Sequence, residues 1–244
     1  MKIEKIYLHE TDSTNVYLQS QSEQSTFDII AVRTDYQTAG KGMGTNTWES
    51  ERGKNLLCSL LIQPQNVSPS DQFIISMASA IAQREVLAEL TDGICIKWPN
   101  DIYWHDHKLG GTRIDTSLSG STLKNVIIGT GININQRSFH SDAPNPVSLY
   151  QIIDQETDID QIFNDLITAF EKRYDQVLAG QYNEISTEYH KHLYRLDIPS
   201  KFNDKDGDFI GTIKQVARNG HLIIVDQNNR EREYDVKEVR FLLH

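Results

Sequence analysis

Four stretches hold side chains with chemistry to offer. The first, TAGKGMGTNTW (38–48), sets Gly40, Gly42 and Gly44 around a single cation, Lys41, and ends on Trp48. Glycines let backbone N–H groups turn toward a ligand, and a lysine adds charge, so the stretch suits an anion. It lacks the Gly-Lys-Ser/Thr ending of a Walker A loop. Its alternating glycines also do not match the dinucleotide fingerprint, so a hairpin that uses glycine only for turn geometry is the alternative. The second, KWPNDIYW (97–104), carries a strand into a rigid turn at Pro99 that presents Asn100 and Asp101. Such a pair coordinates Mg2+ or hydrogen-bonds a polar ligand, unless it forms an ordinary Asx-turn. KLGG (108–111) adds Lys108 beside Gly110 and Gly111, and GTGIN (129–133) is a third glycine-rich strand end.

Elements that would position these groups can be read around them. KIYLHE (5–10) reads as a strand and VYLQSQ as a short helix, with Ser13 or Thr14 as its N-cap. DIIAVRTDY (28–36) and NLLCSLLIQP (55–64) read as strands. Apolar spacing predicts helices over 71–90 and 158–180, the second stopping at Gly180. GICIKW (93–98) returns to strand, 102–115 reads as a hairpin with its tip near HDH, and 125–135 as a further strand. From about residue 195 short strands follow, turning at RNG and QNN. The expected class is α+β: a mixed or antiparallel sheet with helices over 1–195, then a small β-barrel over 196–244. Strands arriving in hairpins argue against a doubly wound parallel sheet.

At 244 residues the chain can bury a sizeable core. Its apolar runs fall far short of a membrane span, and the N-terminus lacks a signal-peptide core, so a cytoplasmic protein with no membrane partner is expected. Cys58 and Cys95 sit in strand-like runs and read as buried thiols. A net charge of −10 gives no overall basic footprint for DNA.

DSTN (12–15), QTAGKG with its following Trp48, KWPND with KLGG, and GTGIN, in this order and spacing, resemble the biotin protein ligases, over the whole chain. The resemblance implies a class II synthetase-like biotin/lipoate ligase catalytic domain followed by an SH3-like β-barrel. It implies an ATP- and Mg2+-dependent reaction in two steps: biotin and ATP give biotinyl-5′-adenylate and pyrophosphate, then a lysine of a biotin carboxyl carrier domain takes the biotin, as in acetyl-CoA carboxylase. It places Ser13, Thr14, Asn15, Gln37, Gly40, Lys41, Gly42, Met43, Lys108, Gly111 and Gly131 on biotin. Trp48, Asn100, Asp101, Lys108 and Asn133 fall on the ATP side. Lys108, Lys41 and Asp101 are the implied catalytic groups, and Asp101 the implied Mg2+ ligand. Hydroxyls and amides suit a neutral ureido ring, and lysines suit the charge at an α-phosphate.

Two departures stand out. Many relatives carry G-R-G-R-x-G-R where this chain has GKGMGTN (40–46), leaving one cation for three. After KLGG comes TRID (112–115), where an apolar run is usual, so the strand register there is open. With DSTN beginning at residue 12, a ligase-only form without an N-terminal DNA-binding domain is expected, and a homodimer stays open. A lipoate or octanoate ligase or transferase of the same fold, or a non-catalytic biotinyl-adenylate binder, are the alternatives. HDH (105–107), YHKHLY (189–194) and NNREREYD (228–235) read as solvated turns and faces.

Overall fold

A computed structural model describes residues 1–21, 26–42, 44, 46–64, 66–140 and 145–242. Seven strands form one sheet: β1 (Ile3–Leu8), β2 (Ile29–Thr34), β3 (Leu56–Ile62), β4 (Ile94–Lys97), β5 (Asp101–Trp104), β6 (His107–Ser119) and β7 (Thr122–Ile132). Their spatial order is β1-β2-β3-β7-β6-β5-β4, with β1 and β2 parallel and every other pair antiparallel. The strand expected at 5–10 therefore begins two residues earlier.

The two faces of this sheet differ, and side-chain alternation along the strands sets the difference. Ile29, Ala31, Cys58, Leu60 and Ile128 point to the main core, under α2 (Phe73–Ala88) and α4 (Ile159–Leu178). Ile30, Val32, Leu61 and Ile127 point the other way, onto Leu18 of α1 (Thr14–Gln21). Asp158 caps α4 by accepting from the N–H groups of Asp160 and Gln161, and Gly180, at φ 71°, follows the end of α4 as expected. Two shorter helices, α3 (Leu149–Ile153) and α5 (Tyr182–Lys191), were not expected; α5 buries Ile185 and Tyr189, and Leu193 and Tyr194 are buried after it, so YHKHLY is a packed helix end and not the solvated turn expected.

The C-terminal strands β8 (Ser200–Asp204), β9 (Gly207–Val216), β10 (Leu222–Asp226), β11 (Glu231–Tyr234) and β12 (Arg240–Phe241) form a second antiparallel sheet, ordered β11-β10-β9-β8-β12. It is not a closed barrel: β11 and β12 are its edges. The long strand β9 pairs with β8 up to Gly211 and with β10 from Gly211 onward. A side chain at Gly211 would strike Ile224, so the crossover position requires glycine.

The expected boundary at 195/196 falls in the connector between α5 and β8, yet buried contacts cross it. Phe202, Ile213, Leu222 and Ile224 belong to the same core as the main sheet. The buried Trp98 indole N–H donates to Gly220 O at 2.8 Å, and Val216 N donates to His190 Nε2 at 2.8 Å. Among the described residues no helix is long and apolar enough to cross a membrane.

Candidate active site

The register of the sheet builds a cleft of about 1170 Å³ on the face opposite the main core. One hydrogen-bonded row runs Leu57, Gly131, Gly111, Asp101, Lys97 across five strands; the next runs Ser59, Gly129, Arg113. Glycines make up the floor because other groups lie directly on it. A Cβ on Gly131 would come 2.5 Å from Trp48 Cε2, one on Gly111 would come 3.0 Å from Asp101 Oδ1, and one on Gly129 would overlap Asn15 Oδ1.

Alternation also accounts for TRID. Only one face of β6 meets the core, so Thr112 points inward and Arg113 and Asp115 point into the cleft. Thr112 is buried and accepts from Gln83 Nε2 of α2 at 2.8 Å, so a polar pair spans what an apolar contact would fill. The register there is continuous from Gly110 to Ser117.

One end of the cleft is a neutral hydrogen-bonding network. Thr14 N donates to Gln37 Oε1 at 2.8 Å, and Ser59 Oγ lies 2.6 Å from Thr14 Oγ1 and 2.7 Å from Asn15 Oδ1. A hydroxyl has one proton, and Thr14 Oγ1 also lies 3.1 Å from Gln37 Oε1, so Ser59 donates either to Thr14, which then donates to Gln37, or to Asn15. Asn15 Nδ2 then donates to Asp115 Oδ2 at 2.7 Å, and Arg113 Nε grips the same carboxylate at 3.0 and 3.2 Å. Ser13, also lining the cleft, is buried just before α1.

The other end is cationic. Lys108 Nζ pairs with Asp101 Oδ1 at 2.8 Å, both partly buried. Lys97 lies over the rings of Tyr103 and Phe241, 4.8 and 4.7 Å from their centroids. Burial, with repulsion from Lys108 and Arg195 added and attraction to Asp101 opposing, lowers its pKa below that of an ordinary lysine. Lys41 is exposed at the rim. Asn100 lines this end while its Nδ2 donates to Thr112 O. Asn133 is buried and ties Nδ2 to Val147 O at 3.0 Å, so it braces the chain segment beside Lys108 as well as lining the cleft.

The glycine stretch forms a narrow hairpin: Trp48 N donates to Gly40 O at 3.1 Å, Gly42 N donates to Asn46 O at 2.8 Å, and Lys41 pairs with Thr47. Gly40 sits at its base, and Met43 lies outside the described residues. Trp48 Nε1 is buried with no partner, facing the floor at Gly131.

The cleft thus gathers Ser13, Thr14, Asn15, Gln37, Lys41 and Gly42 with Trp48, Asn100, Asp101, Lys108, Gly111, Gly131 and Asn133. Sequence reading missed Ser59, Lys97, Arg113 and Asp115 as lining groups. Lys97 was within reach, two residues before the turn and in the same stretch. Ser59 and Asp115 carry no local signal. Cys58 borders the cleft only from the core side of β3, where burial pushes its thiol up to about 12, so it is no nucleophile at neutral pH.

Residues 7–133, more than half of the chain, match the model of the "Biotin/lipoate A/B protein ligase family". The chain belongs to this family. Among curated relatives, the bifunctional ligase/repressor BirA of Bacillus spizizenii is 27% identical over 237 residues, covering 94% of this chain and 71% of that protein. BirA of Bacillus subtilis is 26% identical over 211 residues, and the match spans 83% of this chain but only 63% of that protein. A solved biotin protein ligase from Aquifex aeolicus, in complex with biotin and ATP, shares the fold of this family member with a TM-score of 0.80 at 23% identity, covering 98% of this chain and 99% of that one.

Proposed function

We propose that the chain is an ATP-dependent biotin protein ligase, which activates biotin as biotinyl-5′-adenylate and transfers it to a lysine of a biotin carboxyl carrier domain. The observation that carries this reading is the polarity of the cleft. A donor-acceptor network, Thr14, Ser59, Asn15 and Gln37, lies at one end, and Lys108 and Lys97 lie at the other. Biotin has the same polarity, with a neutral ureido ring at one end and a carboxylate at the other.

In the first step a biotin carboxylate oxygen attacks the α-phosphorus of ATP, and the bond to the β-phosphate oxygen breaks to release pyrophosphate. Lys108 stabilises the charge gathered on the carboxylate and α-phosphate, with Lys97 and Lys41 adding field. Trp48 offers its ring face to the nucleotide, with Asn100 and Asn133 lining the same cleft. In the second step the acceptor amine attacks the acyl carbon, AMP departs, and the amine loses a proton, with Asp101, beside Lys108, as the carboxylate to receive it.

A resident metal does not fit the side chains present. Asp101 is engaged with Lys108, and no group of three His, Cys, Asp or Glu side chains among the described residues is placed to hold an ion. Mg2+ therefore belongs to this reaction as MgATP, the form of the substrate. Lipoate is disfavoured because its dithiolane has neither an N–H nor a C=O with which to exchange hydrogen bonds with the amide-hydroxyl network.

The test is pyrophosphate release from ATP with biotin, lipoate or octanoate, followed by label transfer to a purified carrier domain. Biotin-dependent release with transfer is expected. Release with lipoate instead would reassign the substrate, and tight biotinyl-adenylate binding without transfer would make the protein a sensor.

A further inference from the structure

Asn15 is the side chain that joins the hydroxyl network to the charged part of β6. Its Oδ1 lies 2.7 Å from Ser59 Oγ, and its Nδ2 donates to Asp115 Oδ2 at 2.7 Å. A carboxylate has no proton to give, so Asp115 fixes which end of the Asn15 amide is the nitrogen. Arg113 holds that carboxylate in turn: its Nε lies 3.0 and 3.2 Å from the two oxygens, and its Nη2 lies 3.0 Å from Oδ1. The two residues stand two positions apart on β6 and so share the face that opens on the cleft. Arg113 Nη1 lies 3.4 Å from Gly42 O, a long contact that leaves Asp115 as the main partner. In the sheet register Gly129 falls between Ser59 and Arg113, and a side chain there would overlap Asn15 Oδ1.

We infer that Arg113 and Asp115 are positioning residues that set the hydrogen-bonding sense of this end of the cleft: by claiming the Asn15 NH2 they leave its carbonyl for the ligand, and so select a head group that brings an N–H. The inference rests on the ligase reading for its ligand, whose ureido ring has two N–H groups. The Ser59 hydroxyl allows for such a group. When its one proton goes to Thr14, and that of Thr14 to Gln37, Asn15 Oδ1 receives nothing from Ser59 and is open to a ligand N–H. With the amide turned over, its NH2 would face the ligand and donor would meet donor. A guanidinium suits the role because its fork meets both carboxylate oxygens and fixes their plane, which a single ammonium does not. It also balances the Asp115 charge, so the pair adds no net charge where an uncharged ring is to bind. Arg113, unusual in an apolar strand, thereby acts through Asp115 and Asn15.

The experiment compares wild type with Asp115→Leu, Asp115→Glu, Arg113→Leu and Arg113→Lys. Pyrophosphate release is measured with biotin and with its isosteric cyclic carbonate analogue, in which oxygens replace both ureido N–H groups. Exchange of the Asn15 side-chain NH2 protons is followed by NMR in the ligand-free proteins. Asp115→Leu is expected to raise KM for biotin about tenfold with a smaller change in kcat, and to shrink the preference for biotin over the carbonate by a similar factor. Arg113→Leu should move both the same way by about threefold, while Asp115→Glu and Arg113→Lys recover part of the respective losses. Exchange of the Asn15 NH2 should quicken in the same order. A loss of packing alone would weaken both substrates alike and leave their ratio unchanged. The Arg113 and Asp115 side chains are 32% and 40% exposed, so their replacement does not open the core. An unchanged ratio in Asp115→Leu would overturn the inference. If wild type releases no pyrophosphate with biotin, the ligase reading fails, and the exchange measurement still decides the pair: Asn15 exchange equal to wild type in Asp115→Leu would overturn its orienting role.

Discussion

The two ends of the cleft are built in opposite ways. At the α1 end the polar side chains satisfy one another before any ligand arrives: Thr14, Ser59, Asn15 and Asp115 form a chain of short contacts ending on Arg113. At the far end the cations are under-paired. Lys108 has Asp101, while Lys97 lies over two ring faces, makes no ion pair within 4 Å among the described residues and feels Asp101 only at longer range. A neutral group left unpaired in a buried site carries a desolvation penalty, so that end is pre-assembled. Surplus positive charge is the complement of an arriving triphosphate, so the other end is left incomplete. Shape is fixed at the first end and charge is held in waiting at the second.

The largest expected effect comes from removing what both ends share. Deleting residues 200–244 leaves the buried Trp98 indole N–H without Gly220 O and uncovers the core around Phe73 and His190. One orphaned buried donor alone costs about 1–3 kcal/mol. The truncated chain should lose cooperative unfolding as followed by circular dichroism. A soluble truncation that melts cooperatively and binds biotin would show the C-terminal sheet to be separable.

Next comes Lys108→Ala, which should lower biotin-dependent pyrophosphate release by about a hundredfold, the loss typical of one such charge-stabilising group, and weaken biotin binding less. An unchanged rate would take Lys108 out of the mechanism. At the other end, Ser59→Ala removes the centre of the network and should weaken biotin about tenfold, seen in KM for biotin more than in kcat. If kcat falls and KM does not, the two ends are not divided as described.

The smallest effect is a pH dependence. Lys97 has its pKa lowered chiefly by burial, so the folded protein gives up that proton before the unfolded chain does. Between the two pKa values the unfolded state binds more protons, and Lys97's contribution to stability rises with pH. Its contribution to adenylation moves the other way, fading as pH climbs through the lowered pKa. Lys97→Arg should carry the alkaline fall in rate to higher pH while leaving the rest of the profile in place. An alkaline limb that does not move would assign it to another group.

The sequence by itself determined the order of the strands and long helices though not of α3 and α5, the mixed sheet followed by a small β module, and most of the side chains that meet in the cleft. These signals are local: alternation, helical spacing, glycine and proline at turns, and short motifs whose residues sit within a few positions of one another. Tertiary structure alone decided what lies across the register. Ser59 and Asp115 look like ordinary strand residues until β3, β7 and β6 align and set them beside Asn15. Arg113 looks misplaced in a core strand until one face of β6 is seen to open on the cleft. Trp98, part of the most specific motif, faces away from the cleft and ties the two sheets together. A strand's partner across a sheet depends on pairing between segments as far apart as Leu56 and Ile132, and no short window along the chain contains both sides of that pairing.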